Sequence, residues 1–234
     1  MNELGRSAIL RGQVEVRAFE LAAVDQRMVS LLDPAETARA ATIADETTHQ
    51  DFIAGRVAQR LMAADLLDAA PQDLATAYSC PDCGANPVPS HGRPGYLLRG
   101  VPAALSISFS RSHGWALSAM VLAAKVPLGA DLQNVAQVAF DGFDDVALSS
   151  AEKAHLARLT AEGRDAWRAA AWARKEALAK YFGLGLRIDP TLIEAFPGKE
   201  NGKQGPAAAV WDVESASVGL PEGFAAAVAS SASA

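Results

Sequence analysis

Hydrophobic and polar residues alternate with a period of two in several stretches of the chain, the pattern of a half-buried β-strand. Residues 11–21 (RGQVEVRAFEL) and 104–112 (ALSISFSRS) show this alternation and are predicted strands. Further strands are predicted at residues 114–126, 127–133, 207–215 and 223–231. A turn near Lys125 separates the third strand from the fourth.

Other stretches repeat their apolar residues at the helical period of 3.6. The predicted helices are residues 33–43, 48–67, 149–163 and 164–182. Two of them begin with a capping box, Asp33 with Glu36 and Ser149 with Glu152. The Pro- and Gly-rich residues 80–96 are predicted to form a loop.

Helices and strands occur in both halves of the chain without regular alternation, which favours an α+β fold over a doubly wound sheet. The order predicts two lobes, an N-terminal lobe of residues 1–117 and a C-terminal lobe of residues 118–234. We find no short-period repeat.

Composition narrows the class of protein. Half of the residues are hydrophobic, which is enough for a sizeable core, and the formal net charge is −6, which argues against a general nucleic-acid-binding surface. No apolar run approaches the roughly 20 residues of a membrane helix, and the N-terminus lacks the pattern of a signal peptide. We expect a soluble, cytoplasmic protein.

Asp131 and Gln133 lie two residues apart in the strand that contains GADLQ, so their side chains share a face. Two oxygen donors placed in this way can hold one hard cation such as Mg²⁺, together with water and substrate phosphate. The alternative is a polar turn at the end of a strand.

Trp172, Glu176 and Lys180 are spaced by four residues and share one stripe of the last predicted helix. Glu176 could supply a second carboxylate to the cation, and Lys180 an ammonium group near a phosphate. The alternative is a surface ion pair between Glu176 and Lys180, worth about 0.3–0.5 kcal/mol.

The two cysteines, Cys80 and Cys83, are too few for a disulfide framework. With His91 they offer three zinc ligands, whereas a structural zinc site needs four. A reduced turn is the other interpretation.

GADLQ followed by WARKEALAKYFGLGL (residues 172–186) resembles the paired signature of the 4′-phosphopantetheinyl transferases of the surfactin-synthetase-activating type. The similarity extends over residues 33–230 through an N-terminal helix, the HGRP turn at 91–94 and SFSRSHGW at 108–115. It implies a monomer of two similar, pseudo-symmetric α/β lobes with the metal and catalytic motifs in the second lobe.

The resemblance also implies roles for single residues. Asp131, Gln133 and Glu176 occupy its metal positions, and Glu176 and Lys180 its catalytic positions. The positions that bind the phosphates of coenzyme A are Arg39, Arg56, Arg93, Arg111 and Lys180. Glu152 matches a further acidic position, although a capping role explains it equally well.

The chain departs from the family pattern at two positions. Gln133 replaces a glutamate, which removes one negative charge and predicts weaker binding of metal. Arg111 replaces a histidine but still attracts phosphate, and His113 could supply an imidazole instead.

The implied activity is that of a holo-acyl-carrier-protein synthase. It moves 4′-phosphopantetheine from coenzyme A to a serine of an apo acyl or peptidyl carrier protein, with Mg²⁺, and releases adenosine 3′,5′-bisphosphate. Carrier proteins of fatty-acid, polyketide and non-ribosomal peptide synthesis are all possible partners. Nucleic acids and membranes are not expected as partners. The alternatives are a non-catalytic module that binds coenzyme A or a carrier, and a zinc protein that uses Cys80 and Cys83.

Overall fold

The computed structural model describes residues 8–11, 13–80, 84–86, 92–183, 185–197, 200–201 and 208–231. The strands are β1 (Ala8–Arg11), β2 (Val14–Glu20), β3 (Leu74–Thr76), β4 (Tyr78–Cys80), β5 (Gly84–Asn86), β6 (Tyr96–Leu98), β7 (Val101–Pro102), β8 (Ser106–Ser112), β9 (Trp115–Val121), β10 (Leu128–Asn134), β11 (Glu200–Asn201), β12 (Ala208–Val213) and β13 (Phe224–Ser231). The α-helices are α1 (Pro34–Ala40), α2 (Glu46–Leu66), α3 (Phe143–Ala147), α4 (Ser150–Leu156) and α5 (Ala161–Phe182). None of the helices in these ranges is both long enough and apolar enough to cross a membrane.

Two antiparallel four-stranded sheets form the centre of the fold. The first sheet has the strand order β1-β2-β9-β8, and the second has the order β10-β13-β12-β11. Two smaller sheets, β3-β6-β7 and β4-β5, lie in the connection between α2 and β8. The structure is therefore a mixed α and β fold, as the sequence predicts.

Each large sheet is covered by one long helix. Alternate residues of the first sheet, such as Phe19 and Met120, pack with Val57 and Met62 of α2. The second sheet and α5 meet through small side chains, because Ala227 and Ala229 of β13 pack against Ala173, Ala177 and Leu178 of the helix. Small residues on both sides allow α5 to lie close to the sheet.

The opposite faces of the two sheets pack on each other. Val16 and Leu117 of the first sheet join Leu128, Ala130 and Val228 of the second in one buried cluster. The layers therefore follow the order α2, first sheet, second sheet, α5. Burial of this shared face holds the two halves of the chain together.

Serine side chains link the edge strands of the two sheets. Ser106, Ser108 and Ser112 of β8 accept hydrogen bonds from the backbone N–H groups of Val126, Ala130 and Asn134, at 2.9, 2.8 and 3.2 Å. The hydroxyl of Ser110 donates to the Asp131 carboxylate at 2.7 Å. We call these four residues the serine bridge.

Gly129 allows the close contact between β10 and α5. A Cβ atom at this position would lie 1.8 Å from the carbonyl oxygen of Ala177 and 2.8 Å from the backbone nitrogen of Tyr181. Backbone atoms of a helix cannot move aside as a flexible side chain can. Glycine is therefore required at this point of GADLQ, and the helix lies directly over the strand that carries Asp131.

We predict that Gly129→Ala lowers the free energy of unfolding by about 1–3 kcal/mol or more, because the added methyl group overpacks the contact with α5. Chemical denaturation measures the change. Gly163→Ala is the matched control, since the nearest atom to its new Cβ is Thr160 Oγ1 at 3.9 Å and alanine favours a helix by up to about 1 kcal/mol. Equal stability of the two variants would contradict the close contact.

Most of the predicted elements are confirmed. The strands predicted at 11–21, 104–112, 114–126, 127–133, 207–215 and 223–231 correspond to β2, β8, β9, β10, β12 and β13, and the helices at 33–43 and 48–67 to α1 and α2. Both predicted capping boxes are present, with Asp33 and Ser149 each accepting from the backbone N–H three residues on.

Two predictions of secondary structure are wrong in part. The helix predicted over 149–163 ends at Leu156, and the chain turns before α5 begins at Ala161. The turn brings Leu156 and Leu159 into one apolar cluster with Trp167, so tertiary packing overrides the local helical pattern. The loop predicted over 80–96 contains the short strand β5.

The predicted lobe boundary after residue 117 falls inside β9, and the connection between the two large sheets is residues 122–127. The zinc alternative concerns Cys80, Cys83 and His91. Cys83 and His91 lie outside the described residues, as does the side chain of Cys80. That alternative stays a prediction.

Candidate functional site

The face of β10 beneath α5 brings together the charged residues that the sequence singled out. Asp131 is buried there, and its Oδ1 accepts hydrogen bonds from Lys180 Nζ at 2.7 Å and from Ser110 Oγ at 2.7 Å. Lys180 also donates to the carbonyl oxygen of Ala130 at 2.9 Å. The cross-strand partner of Asp131 on β13 is Ala227, a small neighbour. The strand and the helix therefore fix one acid and one ammonium group against each other.

Glu176 lies one helical turn before Lys180 and is half-buried. Burial raises the pKa of its carboxyl group, and the negative charge of Asp131 raises it further, while the Lys180 ammonium lowers it. No described residue donates a hydrogen bond to this carboxylate. A half-buried acid without a donor, close to a second acid, is the arrangement that a bound cation would satisfy.

Gln133 continues the same face of β10. Its Nε2 donates to the carbonyl oxygen of Asn134 at 3.0 Å and to Gln137 Oε1 at 2.9 Å, and no described residue donates to its Oε1. Two carboxylates and one amide oxygen are hard ligands of the kind that Mg²⁺ prefers, so the residues fit a divalent cation. The described residues contain no group of three or more His, Cys, Asp or Glu side chains placed to hold a metal.

A cleft of about 470 Å³ opens beside this group. Its lining residues are Thr48, Asp51, Phe52, Arg56, Phe109, Ser110, Arg111, Ser112, His113 and Lys180. Ser110 and Lys180 belong both to the cleft and to the surroundings of Asp131. A ligand in the cleft would therefore reach the carboxylates through these two side chains.

Two arginines add to the positive charge that Lys180 brings to the cleft. The guanidinium of Arg56 lies 5.1 Å from the centre of the Phe52 ring and 5.0 Å from that of Tyr78, and the guanidinium of Arg111 lies 5.8 Å from the Phe52 ring. Arg56 donates to Gln59 Oε1 at 2.9 Å. Burial lowers the pKa of Arg56 from its usual value, but arginine stays protonated. The contacts with the rings hold both cations at the wall of the cleft.

Gly55 of α2 permits this arrangement. A Cβ atom there would lie 3.1 Å from Arg111 Cδ and 3.1 Å from Phe109 Cζ, so a larger residue would push both side chains away from the helix. His113, at the turn between β8 and β9, also lines the cleft and is exposed.

The other two predicted phosphate-binding arginines do not line this cleft. Arg39 donates to Thr42 Oγ1 at 2.9 Å on α1. Arg93 Nη2 donates to the carbonyl oxygen of Tyr181 at 2.8 Å, next to the glycine that ends α5, and lines a smaller cavity of about 200 Å³. Their proposed contact with coenzyme A stays a prediction.

The contacts of Glu152 indicate a role in stabilising the fold. It is fully buried, and its carboxylate accepts from the backbone N–H of Ser149 at 2.8 Å, from that of Ala195 at 2.9 Å and from Lys175 Nζ at 2.6 Å. Trp172 packs edge-on against Phe143 with ring centres 6.0 Å apart. Neither residue lines the cleft.

Sequence reasoning missed several polar residues of the site, among them Ser110 and Gln137. Ser110 donates to Asp131, and Gln137 accepts from Gln133. The regular SISFSRS alternation places Ser110 on the same face as Ser108, but no local signal indicates that this face meets β10. Gln137 lies in the turn Val135–Val138 that follows β10, where a glutamine carries no signal of its own.

Residues 127–229 match the family model of the 4′-phosphopantetheinyl transferase superfamily. The matched segment runs from the start of β10 almost to the end of β13. It contains Asp131, Gln133, Glu176 and Lys180, whereas Arg56 and Arg111 lie before it. A comparison with curated proteins gives no match.

Proposed function

We propose that the chain transfers the 4′-phosphopantetheine group of coenzyme A to a serine of an apo carrier protein. The observation that carries the proposal is the continuity of the site: Lys180 and Ser110 contact Asp131 and also line the cleft that holds Arg56 and Arg111. A cation-binding group of acids thus adjoins a basic cleft, which is the pairing that a magnesium-bound pyrophosphate needs.

Arg56 and Arg111 are the groups that would bind the phosphates of coenzyme A. Each guanidinium is planar and carries five N–H donors, which suits a pair of phosphate oxygens. Arg39 and Arg93 are further candidates on the strength of the family resemblance alone, and His113 could add a donor from the turn after β8.

Asp131, Gln133 and Glu176 would hold Mg²⁺. When bound, this ion would neutralise the charge of the pyrophosphate and the charge that develops on the leaving phosphate. Lys180 stabilises the same developing charge from the cleft side, since its ammonium group already lies beside Asp131.

The bond changes follow from the group transferred. The serine oxygen of the carrier forms a bond to the phosphorus that bears pantetheine, and the bond from that phosphorus to the bridging oxygen breaks. Adenosine 3′,5′-bisphosphate leaves with the bridging oxygen, and Glu176 accepts the serine proton.

We further propose a cytoplasmic monomer of two similar lobes, because one chain supplies both the basic cleft and the acidic group. Carriers from fatty-acid, polyketide or non-ribosomal peptide synthesis all present a serine at the start of a helix. The residues that act on the serine would be the same for every carrier, so we expect the surface around the cleft to determine which carrier protein binds.

The test is intact mass spectrometry of several apo carriers after incubation with the protein, coenzyme A and Mg²⁺. We expect a gain of one phosphopantetheine group on at least one carrier and no gain when the serine of that carrier is replaced by alanine. Binding of coenzyme A with no mass gain on any carrier would support the non-catalytic alternative instead.

A further inference from the structure

The side-chain amide of Gln133 is held in one orientation. Its nitrogen lies 3.0 Å from the carbonyl oxygen of Asn134, and a main-chain carbonyl can only accept a hydrogen bond. The atom facing Asn134 must therefore be the nitrogen, and the oxygen is directed away from it. The positions of the nitrogen and oxygen atoms of Gln133 follow from this main-chain contact alone, whatever the orientation of neighbouring side-chain amides.

Gln137 reinforces the same orientation. Its Oε1 accepts from Gln133 Nε2 at 2.9 Å and from Ser112 Oγ at 2.9 Å. Ser112 in turn accepts from the backbone N–H of Asn134 at 3.2 Å, which leaves its hydroxyl hydrogen free to donate to Gln137. The four residues form a closed ring of hydrogen bonds that crosses from β8 to β10.

We propose that Gln137 is a positioning residue, which together with Ser112 presents the Gln133 amide oxygen to the cation held by Asp131 and Glu176. The inference rests on the proposed function for the identity of the bound ion. It gives a physical reason for the glutamine at position 133: its nitrogen satisfies two acceptors, and its oxygen stays free as a neutral ligand.

A carboxylate at position 133 would have no hydrogen to donate to these two acceptors. One of its oxygens would take the place of Nε2, facing the carbonyl oxygen of Asn134 and Gln137 Oε1 with no hydrogen to share. Gln133→Glu alone should therefore bind metal less well than its added charge suggests. Gln133→Glu combined with Gln137→Lys restores a donor and should bind metal more tightly than Gln133→Glu alone.

The experiment measures Mn²⁺ binding to the purified full chain by electron paramagnetic resonance, with the metal as the only added ligand. Loss of a hydrogen-bond partner of a metal ligand typically weakens affinity about 10–100-fold, so we expect Gln137→Ala to raise the Mn²⁺ Kd by about tenfold. Gln137→Glu keeps both acceptor positions and should retain at least wild-type affinity. Gln72→Ala, an exposed glutamine distant in sequence, is the control and should leave the Kd unchanged.

A Kd within twofold of wild type for Gln137→Ala, or equal losses for Gln137→Ala and Gln137→Glu, would overturn the positioning role. So would a wild-type protein that binds no Mn²⁺. The transfer assay on the same preparations separates the two proposals. If wild type transfers phosphopantetheine but the Mn²⁺ Kd does not change in the Gln137 variants, the proposed function holds and the positioning role is wrong. If the Mn²⁺ Kd changes in those variants but no carrier is modified, the positioning role holds and the proposed function is wrong.

Discussion

Asp131→Asn and Glu176→Gln each reduce transfer of phosphopantetheine by on the order of 10³-fold, the largest loss that we expect from any substitution of similar shape. Each variant removes one negative charge from a group that must hold a divalent cation next to a pyrophosphate. Asparagine at 131 can still accept the hydrogen bonds from Ser110 and Lys180, so the local structure should survive. Initial rates from intact-mass time courses at saturating Mg²⁺ measure the effect.

The controls separate loss of charge from loss of structure. Asp145→Asn removes a carboxylate from an exposed ion pair with Lys153 and should leave the rate unchanged. Denaturation curves should show that Asp131→Asn and Glu176→Gln unfold close to the wild-type midpoint. Full activity in either variant at saturating metal would remove the corresponding acid from the proposed site.

Lys180→Met is expected to change rate and metal affinity in opposite directions. Methionine retains the length of the side chain but not its charge, so the leaving phosphate loses its ammonium partner and the rate falls by on the order of 10²-fold. Asp131 Oδ1 loses a competing cation at 2.7 Å, so its affinity for a divalent metal should rise. Rates at saturating Mg²⁺ and the Kd for Mn²⁺ measure the two effects.

Lys153→Met on α4 is the control for the loss of an exposed positive charge, and we expect it to change neither quantity. A Lys180→Met variant in which rate and metal affinity fall together would indicate that Lys180 organises the site rather than acting on phosphate.

Local patterns in the sequence predicted the parts of the site that lie on one element. The two-residue spacing of Asp131 and Gln133 fixed their shared face, and the four-residue spacing of Glu176 and Lys180 fixed theirs. Gly129, in the same short segment, explains why these two faces meet, because it admits the helix backbone at a distance that no side chain would allow.

The rest of the site depends on which elements become neighbours, and local patterns contain no such information. Arg56 on α2 and Arg111 on β8 contact the same ring although 55 positions separate them in the sequence (111 − 56). The early end of α4 likewise reflects packing around Trp167 rather than any break in helical periodicity. The resemblance to a family led us to predict roles for Arg56 and Arg111, which stay predictions, since the family model matches residues 127–229.

The serine bridge also bears on how the protein avoids self-association. In an open sheet, an outer strand presents unpaired N–H and C=O groups that can recruit a strand of another molecule and start aggregation. β8 and β10 are both outer strands, and hydroxyl groups of β8 accept from N–H groups of Ala130 and Asn134 in β10 and of Val126 just before it. Replacing Ser106 and Ser108, the two members that do not line the cleft, with alanine would leave the N–H groups of Val126 and Ala130 without these acceptors, so we expect this double variant to precipitate during expression while the residues of the site stay intact.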